Sequence, residues 1–284
     1  ANHGDLYLEV IVVVNASSDD SVAMVEGEYP QVRIFASREN QGDTGGNNAG
    51  AAQAQGRSLF ILIPDSELIG QAGDLMVAYL DEHPEVGALG PQLLFPDGSI
   101  QSSRRSFPQI ATAFSQGTPL SWRWFRDDNR FARTFFMADS PDHEIQSVDW
   151  LVGAALMIRR EVWREVGSFD ERFFMYSDEV DWCHRCRDAG WEIHYLPTAQ
   201  IVHHEGRSSD QIPVAARIRL HRSRVRYYRK YFGTGWATVI WLYFMLNYVW
   251  ILAEETVKWA IGHRREDRHQ QMHACWQILK SGLR

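Results

Sequence analysis

Leu8-Glu9-Val10-Ile11-Val12-Val13-Val14-Asn15-Ala16-Ser17-Ser18-Asp19-Asp20-Ser21 is the stretch on which the fold turns. Apart from Glu9, the residues from Leu8 to Val14 are aliphatic and mostly β-branched. Such a run, with no polar alternation, marks a strand covered on both faces. The polar segment after it supplies turn and cap chemistry, with Ser17, Ser18 and Asp19 leading into a helix over Ser21–Glu28. A buried strand that passes through a polar loop into a helix opens a βαβ unit, and hence a parallel sheet with helices on both sides.

Outward from there the alternation continues. Val32–Ala36 reads as a second strand, Gly45–Gln55 as a small-residue helix, Leu59–Ile63 as a third strand and Gln71–His83 as a helix. Val86–Leu89 and Gln92–Phe95 read as further strands before a Pro96-Asp97-Gly98 turn. The predicted class is α/β, a mostly parallel Rossmann-like sheet flanked by helices. Ligands in such sheets bind beyond the carboxyl ends of the strands, which singles out the loops after Val14, Ala36 and Ile63. Residues 104–147, with Trp122, Trp124, Phe125, Arg126 and Asp127, form a long irregular excursion expected to cover a site. Order resumes at Val148–Ile158, followed by a helix at Arg160–Val166, a turn at Gly167 and a helix over Glu179–Ala189. Strands at Glu192–Tyr195 and Ala199–His203 close this part, and no internal repeat is evident.

The 284 residues are 45% hydrophobic and 23% charged, enough apolar content for a true core. Three cysteines cannot frame a disulfide scaffold at this size, so a reducing, cytoplasmic setting is expected. The net charge of -7 argues against a nucleic-acid binder, yet it hides a polarity. Arg217, Arg219, Arg222, Arg224, Arg226, Arg229 and Lys230 fall in a stretch without a single acid. Directly after it, Trp236–Ala253 has only Thr238 and Asn247 as clearly polar residues, the short end of a membrane-spanning length. Trp236, Trp241, Tyr243, Tyr248 and Trp250 suit a membrane interface, and the preceding cations suit anionic headgroups. A buried helix of a soluble subdomain satisfies the same composition. Arg264 and Arg265 make the far end basic too, so the sequence leaves spanning and lying flat both open. The expected division is a first domain over 1–210 and a basic, hydrophobic helical region over 211–284.

Four clusters carry possible chemistry. Asp65, in Ile63-Pro64-Asp65-Ser66-Glu67, lies in a loop after a buried strand, where a carboxylate can hold a divalent cation against phosphates; a plain Pro-Asp turn has the same sequence. Asp178, Glu179 and Asp181 crowd a helix start beside the apolar Phe173-Phe174-Met175, which would desolvate a carboxylate and make it a better base; they also make a well-capped helix. Asn40-Gln41-Gly42-Asp43-Thr44-Gly45-Gly46-Asn47-Asn48-Ala49-Gly50 permits close backbone approach of a polar or anionic ligand, though it is neither a dinucleotide fingerprint nor a Walker loop. His203-His204 ends a strand and offers a metal ligand. Cys183-His184-Arg185-Cys186 has CxxC spacing without the second pair that a zinc site needs.

Taken in order, these segments resemble the inverting family 2 glycosyltransferases of the GT-A fold, in particular the bacterial rhamnosyltransferase-like branch that builds cell-surface polysaccharides. The family reads E-I-I-V-V-D-N-A-S-S-D-G-S where Glu9 to Ser21 stand here. Its N-x-G-x-x-x-G-N-N-x-G element matches Asn40 to Gly50, and its N-P-D-T element, a reduced DXD metal motif, matches Ile63 to Ser66. Its W-x-x-G-A and G-x-F-D-E-x-F-F-M-Y-x-E-D-x-D elements match Trp150 to Arg160 and Gly167 to Asp181, and its closing H-x-x-G-x-S matches His203 to Ser208.

The resemblance implies a nucleoside-diphosphate sugar donor, with rhamnose the sugar of the branch, and a saccharide or lipid-linked acceptor at the cytoplasmic side of the bacterial inner membrane. It implies Mg²⁺ or Mn²⁺ at Asp65 with His203, and donor contacts from Asn15, Ser17, Asn40, Gly45, Gly46, Asn48 and Asp65. Glu179 falls in the slot of the catalytic base with Asp178 beside it, their order swapped relative to the family. Trp150, Gly153 and Asp181 fall in acceptor-side or supporting slots. Val14 stands where the family has an aspartate that contacts the nucleoside, and Ile63 where it has an asparagine. The family's first strand, with V-x-I-V-x-Y-N, has no counterpart after Ala1, which predicts an N-terminally incomplete domain. Those departures support a second reading, a non-catalytic relative that binds saccharide or scaffolds at the membrane.

Overall fold

The computed structural model describes residues 6–17, 19–115, 130–204, 213–262 and 264–283. Ser18, the aromatic cluster from Trp122 to Asp127, and Gly206 to Ser208 of the closing motif lie outside the described residues. The chain forms two compact units, Ala1–Phe107 with Ser140–Glu205 and Pro108–Asp139 with Gly206–Arg284. The excursion is thus shared, with 108–139 in the second unit.

In chain order the elements are β1 (Ile11–Asn15), α1 (Ser21–Glu28), β2 (Arg33–Ser37), α2 (Gly42–Gln53), β3 (Ser58–Leu62), β4 (Ser66–Leu68), α3 (Ala72–Glu82), β5 (Val86–Leu94), β6 (Ile100–Gln101) and β7 (Arg104–Arg105). They continue with α4 (Ile110–Ser115), α5 (Arg130–Phe135), β8 (Gln146–Ser147), β9 (Trp150–Leu151), β10 (Ala155–Arg159), α6 (Arg160–Val166), α7 (Asp178–Asp188), β11 (Glu192–His203), α8 (Pro213–Ala260) and α9 (Arg265–Ser281).

The first unit is α/β. β1 and β2 form a parallel pair, Ile11 opposite Arg33 through Asn15 opposite Ser37. A seven-stranded sheet runs β3-β10-β5-β11-β4, with β6 on β5 and β8 on β11. The sheet is mixed, where the spacing predicts a mostly parallel one: β11 is parallel to β5, but β10 is antiparallel to both β3 and β5, and β4 is antiparallel to β11. The cause is connection. A parallel neighbour needs a crossover, usually a helix, and β10 arrives from the irregular excursion instead. Two pairs of predicted strands also fuse. β5 runs unbroken through Pro91 and is buried along its whole length, and β11 absorbs Pro197 through a register shift between Leu196 and Gln200.

Met76 and Leu80 of α3 pack on Leu89 and Leu93 of β5, Met157 of β10 and Ile201 of β11 to form the core. Arg159 ties the edge of this core by donating to the carbonyls of Val86 and His83, both at 2.7 Å.

The second unit is helical. α8 is broken at Gly233, whose φ of 84° and ψ of 169° are far from helical, so that residues 213–232 and 234–260 form two arms. The arms meet where His221 pairs with the Tyr248 hydroxyl at 2.8 Å, and α9 returns along the second arm. Tyr243 and Tyr228 donate to the carbonyls of Phe114 and Gln109, each at 3.0 Å, joining the arms to α4 and its entry loop. Trp236–Ala253 is therefore one member of a helical bundle.

Candidate active site

The loop after β1 and the start of α2 are held by three asparagines. Asn15 donates to the Gly42 carbonyl at 2.8 Å and accepts from the Gln41 amide at 2.9 Å, while Asn40 accepts from the Gly42 amide at 2.9 Å. Asn48 clasps the loop that follows α6 from the other side: it donates to the Phe169 carbonyl and accepts from the Phe169 amide, both at 3.0 Å. Short amides satisfy backbone groups that no ladder reaches, so these side chains position the strand-end loops. Gly42 has a φ of +73°, and a Cβ there would come within 1.9 Å of the Phe174 carbonyl oxygen. Only glycine brings α2 this close to the segment before α7. Gly45 and Gly46 are buried in the first turn of α2, Ser17 is exposed, and Val14 is a core residue 5% exposed.

α7 starts with an unusual turn. Tyr176 and Ser177 are both left-handed, at φ 65° and 63°, an arrangement that costs non-glycine residues about 1–3 kcal/mol each and persists where the surroundings impose it. The turn delivers Asp178 and Glu179 side by side. Burial pushes the Asp178 carboxyl up to about 6, and the nearby charge of Asp43 adds to the rise against hydrogen bonds to the charged form. Burial, reinforced by Asp178, holds Glu179 well above the ordinary carboxylate range. Asp178 is 6% exposed, whereas Glu179 keeps an accessible surface. A Cβ on Gly153 would lie 3.5 Å from the Glu179 Cβ and Cγ, an ordinary contact, so this glycine packs directly beside the Glu179 side chain. Asp181 is fully buried and accepts from Arg185 Nε at 3.0 Å; the same guanidinium donates to the carbonyls of Val166 and Ser168. Asp181 thus acts on the loop behind α7. Trp150 is 8% exposed and its indole donates to the Ser106 carbonyl, a structural contact.

Beyond β3, Asp65 and His203 face each other, with Nε2 3.8 Å from Oδ1. His203 pairs through Nδ1 with the Gln101 side chain at 2.7 Å, which leaves Nε2 turned toward the carboxylate. The His204 amide donates to the Asp65 carbonyl at 2.9 Å and locks the two strand ends together. Two ligand atoms of one divalent ion stand about 3–4 Å apart, and an imidazole oriented through its other nitrogen is the usual arrangement at a metal. Among the described residues no group of three or more His, Cys, Asp and Glu is assembled, so these two could hold an ion only with further ligands from a bound molecule or water. The carboxylate pair and the Asp65–His203 pair are linked through the backbone: the Ile63 amide donates to the Ala154 carbonyl at 3.1 Å, next to Gly153. Sequence reasoning missed Asp43 as a neighbour of the carboxyl pair, although it lies in the quoted glycine-rich stretch, and missed Gln101, which no motif marks.

The α/β unit, with polar loops gathered at its strand ends, is that of a nucleotide-sugar-dependent glycosyltransferase of the GT-A type. The chain belongs to the family described as "Glycosyltransferase like family 2", whose profile matches residues 1–226. It is 28% identical over 227 residues to the N-acetylglucosaminyl-diphospho-decaprenol L-rhamnosyltransferase of Mycobacterium tuberculosis, covering 76% of this chain and 73% of that one. It is 36% identical over 64 residues to the rhamnosyltransferase WbbL of Escherichia coli K12, covering 22% of this chain and 24% of WbbL. Among solved structures, the mannosyltransferase PcManGT from Pyrobaculum calidifontis, in complex with GDP-Man and Mn²⁺, shares the fold with a TM-score of 0.51 at 15% identity, over 97% of this chain and 75% of that one.

Proposed function

We propose that this chain transfers L-rhamnose, with inversion, from a dTDP-sugar donor to a saccharide carried on a lipid diphosphate at a membrane surface. The observation that carries the reading is the Asp178–Glu179 pair, Asp178 buried and Glu179 half-buried against Gly153, both held above the ordinary carboxylate range. A base that must take a proton from a sugar hydroxyl near neutral pH needs that elevation. Glu179 is the member with accessible surface, so it receives the acceptor proton as the hydroxyl attacks the anomeric carbon from the face opposite the leaving diphosphate. Asp178 tunes it. Asp65 and His203 would hold a divalent cation, which when bound neutralises the charge that develops on the departing diphosphate. The mixed oxygen and nitrogen donors favour Mn²⁺ over Mg²⁺. The sugar and the lipid-linked acceptor follow the activity of the mycobacterial relative, and the apolar, cation-flanked helix of the second unit fits work at the cytoplasmic leaflet, where nucleotide sugars are found.

The test is calorimetric titration with dTDP and UDP, with and without Mn²⁺, on the wild type and on Asp65→Ala, followed by transfer from dTDP-rhamnose to an N-acetylglucosaminyl-diphospho-polyprenol. Metal-dependent dTDP binding that Asp65→Ala abolishes, followed by turnover, is expected. Absence of nucleotide binding under every condition would overturn the reading in favour of a saccharide-binding scaffold.

A further inference from the structure

The second arm of α8 carries its hydrophobicity on the side that a water-soluble bundle would leave polar. Turned into the unit are Ala237, Ile240, Phe244, Asn247, Tyr248 and Glu255, a set that includes an amide, a phenol and a carboxylate. Turned outward are Val239, Leu242, Leu246, Val249, Trp250 and Val257, all exposed, Leu246 by 65%. At helical spacing these six share an arc of about 100°. No ionisable residue shares that arc; the other positions in it are Gly235, Ala253 and Ala260. An exposed face more apolar than the buried one calls for a non-aqueous partner.

This helix is long and apolar enough to cross a membrane, yet its neighbours oppose crossing. α9 is joined to it by Arg268 donating to Glu255 at 2.7 Å and by Trp241 donating to the Gly282 carbonyl at 2.8 Å. A spanning arm would draw α9 into hydrocarbon together with Glu266, Asp267, Arg268, His269 and Lys280, and charges at that depth are costly. The first arm folds back through the His221–Tyr248 pair and would bring its arginines as well. Cations also bracket the apolar face at both ends, Arg229 and Lys230 before it, Arg264 and Arg265 after it. A spanning helix has its cations mainly on one side of the membrane, whereas a helix lying in the interface has both ends at headgroup depth.

We propose that the second unit is a monotopic anchor: the second arm of α8 lies in the plane of an anionic lipid surface, with the Val239–Leu242–Leu246–Val249–Trp250–Val257 face in the acyl boundary and neither end crossing. This sharpens the membrane association proposed above into an orientation, and it is independent of the transfer chemistry.

The full chain is tested by flotation with phosphatidylcholine vesicles, with and without phosphatidylglycerol. It is expected to float, more so with the anionic lipid. The triple variant Leu246→Ser, Val249→Ser, Trp250→Ser, whose sites are exposed in the fold, is expected to lose about tenfold or more of its partitioning, with circular dichroism and dTDP binding unchanged. In inverted membrane vesicles from expressing bacteria, single cysteines at Thr234→Cys, exposed and off the apolar arc, and Ile261→Cys are both expected to react with an impermeant maleimide before lysis. Protection of one of them until lysis would mean a spanning helix and overturn the proposal. Failure to float, with dTDP binding intact and a concentration-dependent dimer that the triple variant abolishes, would assign the face to a second copy of the chain and overturn it equally.

Discussion

Asp178 and Glu179 are adjacent carboxyls that cannot both ionise cheaply, because desolvation penalises the charge on both, on the buried Asp178 and on the half-buried Glu179, and the charge of Asp178 raises Glu179 further. The pair therefore gives up its last proton above the ordinary carboxylate range. Replacing Asp178 with Asn removes the like charge beside Glu179, so Glu179 ionises more easily. The acidic limb of the rate profile is expected to move down by about one pH unit in Asp178→Asn, read from kcat/KM against pH; an unmoved limb would mean that the pair does not set it. Glu179→Gln keeps shape and burial but cannot take the proton, and kcat is expected to fall by about 10²–10⁴-fold. Stability should move the other way. A carboxyl whose pKa is raised by folding stabilises the fold relative to unfolded chain only while protonated; for Asp178 that contribution fades as pH climbs from the ordinary carboxylate range through about 6, and for Glu179 as pH climbs through its own raised value. Above that window the wild type bears the cost of buried charge, so at mildly alkaline pH Glu179→Gln is expected to melt at a higher temperature than wild type. The gain should shrink in acid, where the wild-type carboxyl is protonated.

At the scale of elements, the active-site region is assembled by contacts far apart in sequence. Asn48 on α2 and Phe169 in the loop after α6 are 121 residues apart and exchange two hydrogen bonds directly. Asn48→Ala strands both backbone groups of Phe169 and is expected to cost about 1–3 kcal/mol, measured by urea unfolding, together with weaker donor binding. Nothing in local spacing reveals such a staple. The motif containing Asn40, Gly45, Gly46 and Asn48 is legible as a site, but whether its amides face ligand or backbone depends on what the fold brings opposite them, here Gly42 and Phe169. The same holds for strand direction. Leu59–Ile63 reads as a strand and Val148–Ile158 as a return to order, yet the antiparallel pairing of β3 with β10 rests on the path of the excursion, which has no periodicity to read. What the sequence does carry is local: a strand in the aliphatic run ending at Asn15, although Val14 alone of β1 is buried where cover on both faces is expected, the acidic start of α7 and the strand-end positions of Asp65 and His203. Those last two are far apart along the chain, and their approach needed the β4–β11 pairing, with His203 opposite Ser66.

For the whole molecule, charge and hydrophobicity are segregated along the chain. Seven cations without an acid lie between Arg217 and Lys230, and the remainder carries -14. Of those seven, Arg217, Arg226, Arg229 and Lys230 are exposed. An acidic body would be repelled by an anionic surface, and a cationic segment counters this only at short range, since the Debye length is about 8 Å at physiological salt. Attraction of about 1 kcal/mol per basic residue near the surface is screened as salt rises, while burial of an apolar helix face is not. Binding of the full chain to phosphatidylglycerol-containing vesicles is therefore expected to have two parts. Raising NaCl from low to high concentration should weaken it by about ten- to a hundredfold and then reach a floor that further salt does not lower. Arg229→Gln with Lys230→Gln should reduce the salt-sensitive part and leave the floor, whereas the serine triple variant of the apolar face should remove the floor and leave a weak, fully salt-sensitive remainder. Flotation across a salt series separates the two. A binding curve that falls to zero in the wild type would mean that cations alone hold the chain to lipid and that the exposed face of α8 contributes nothing there.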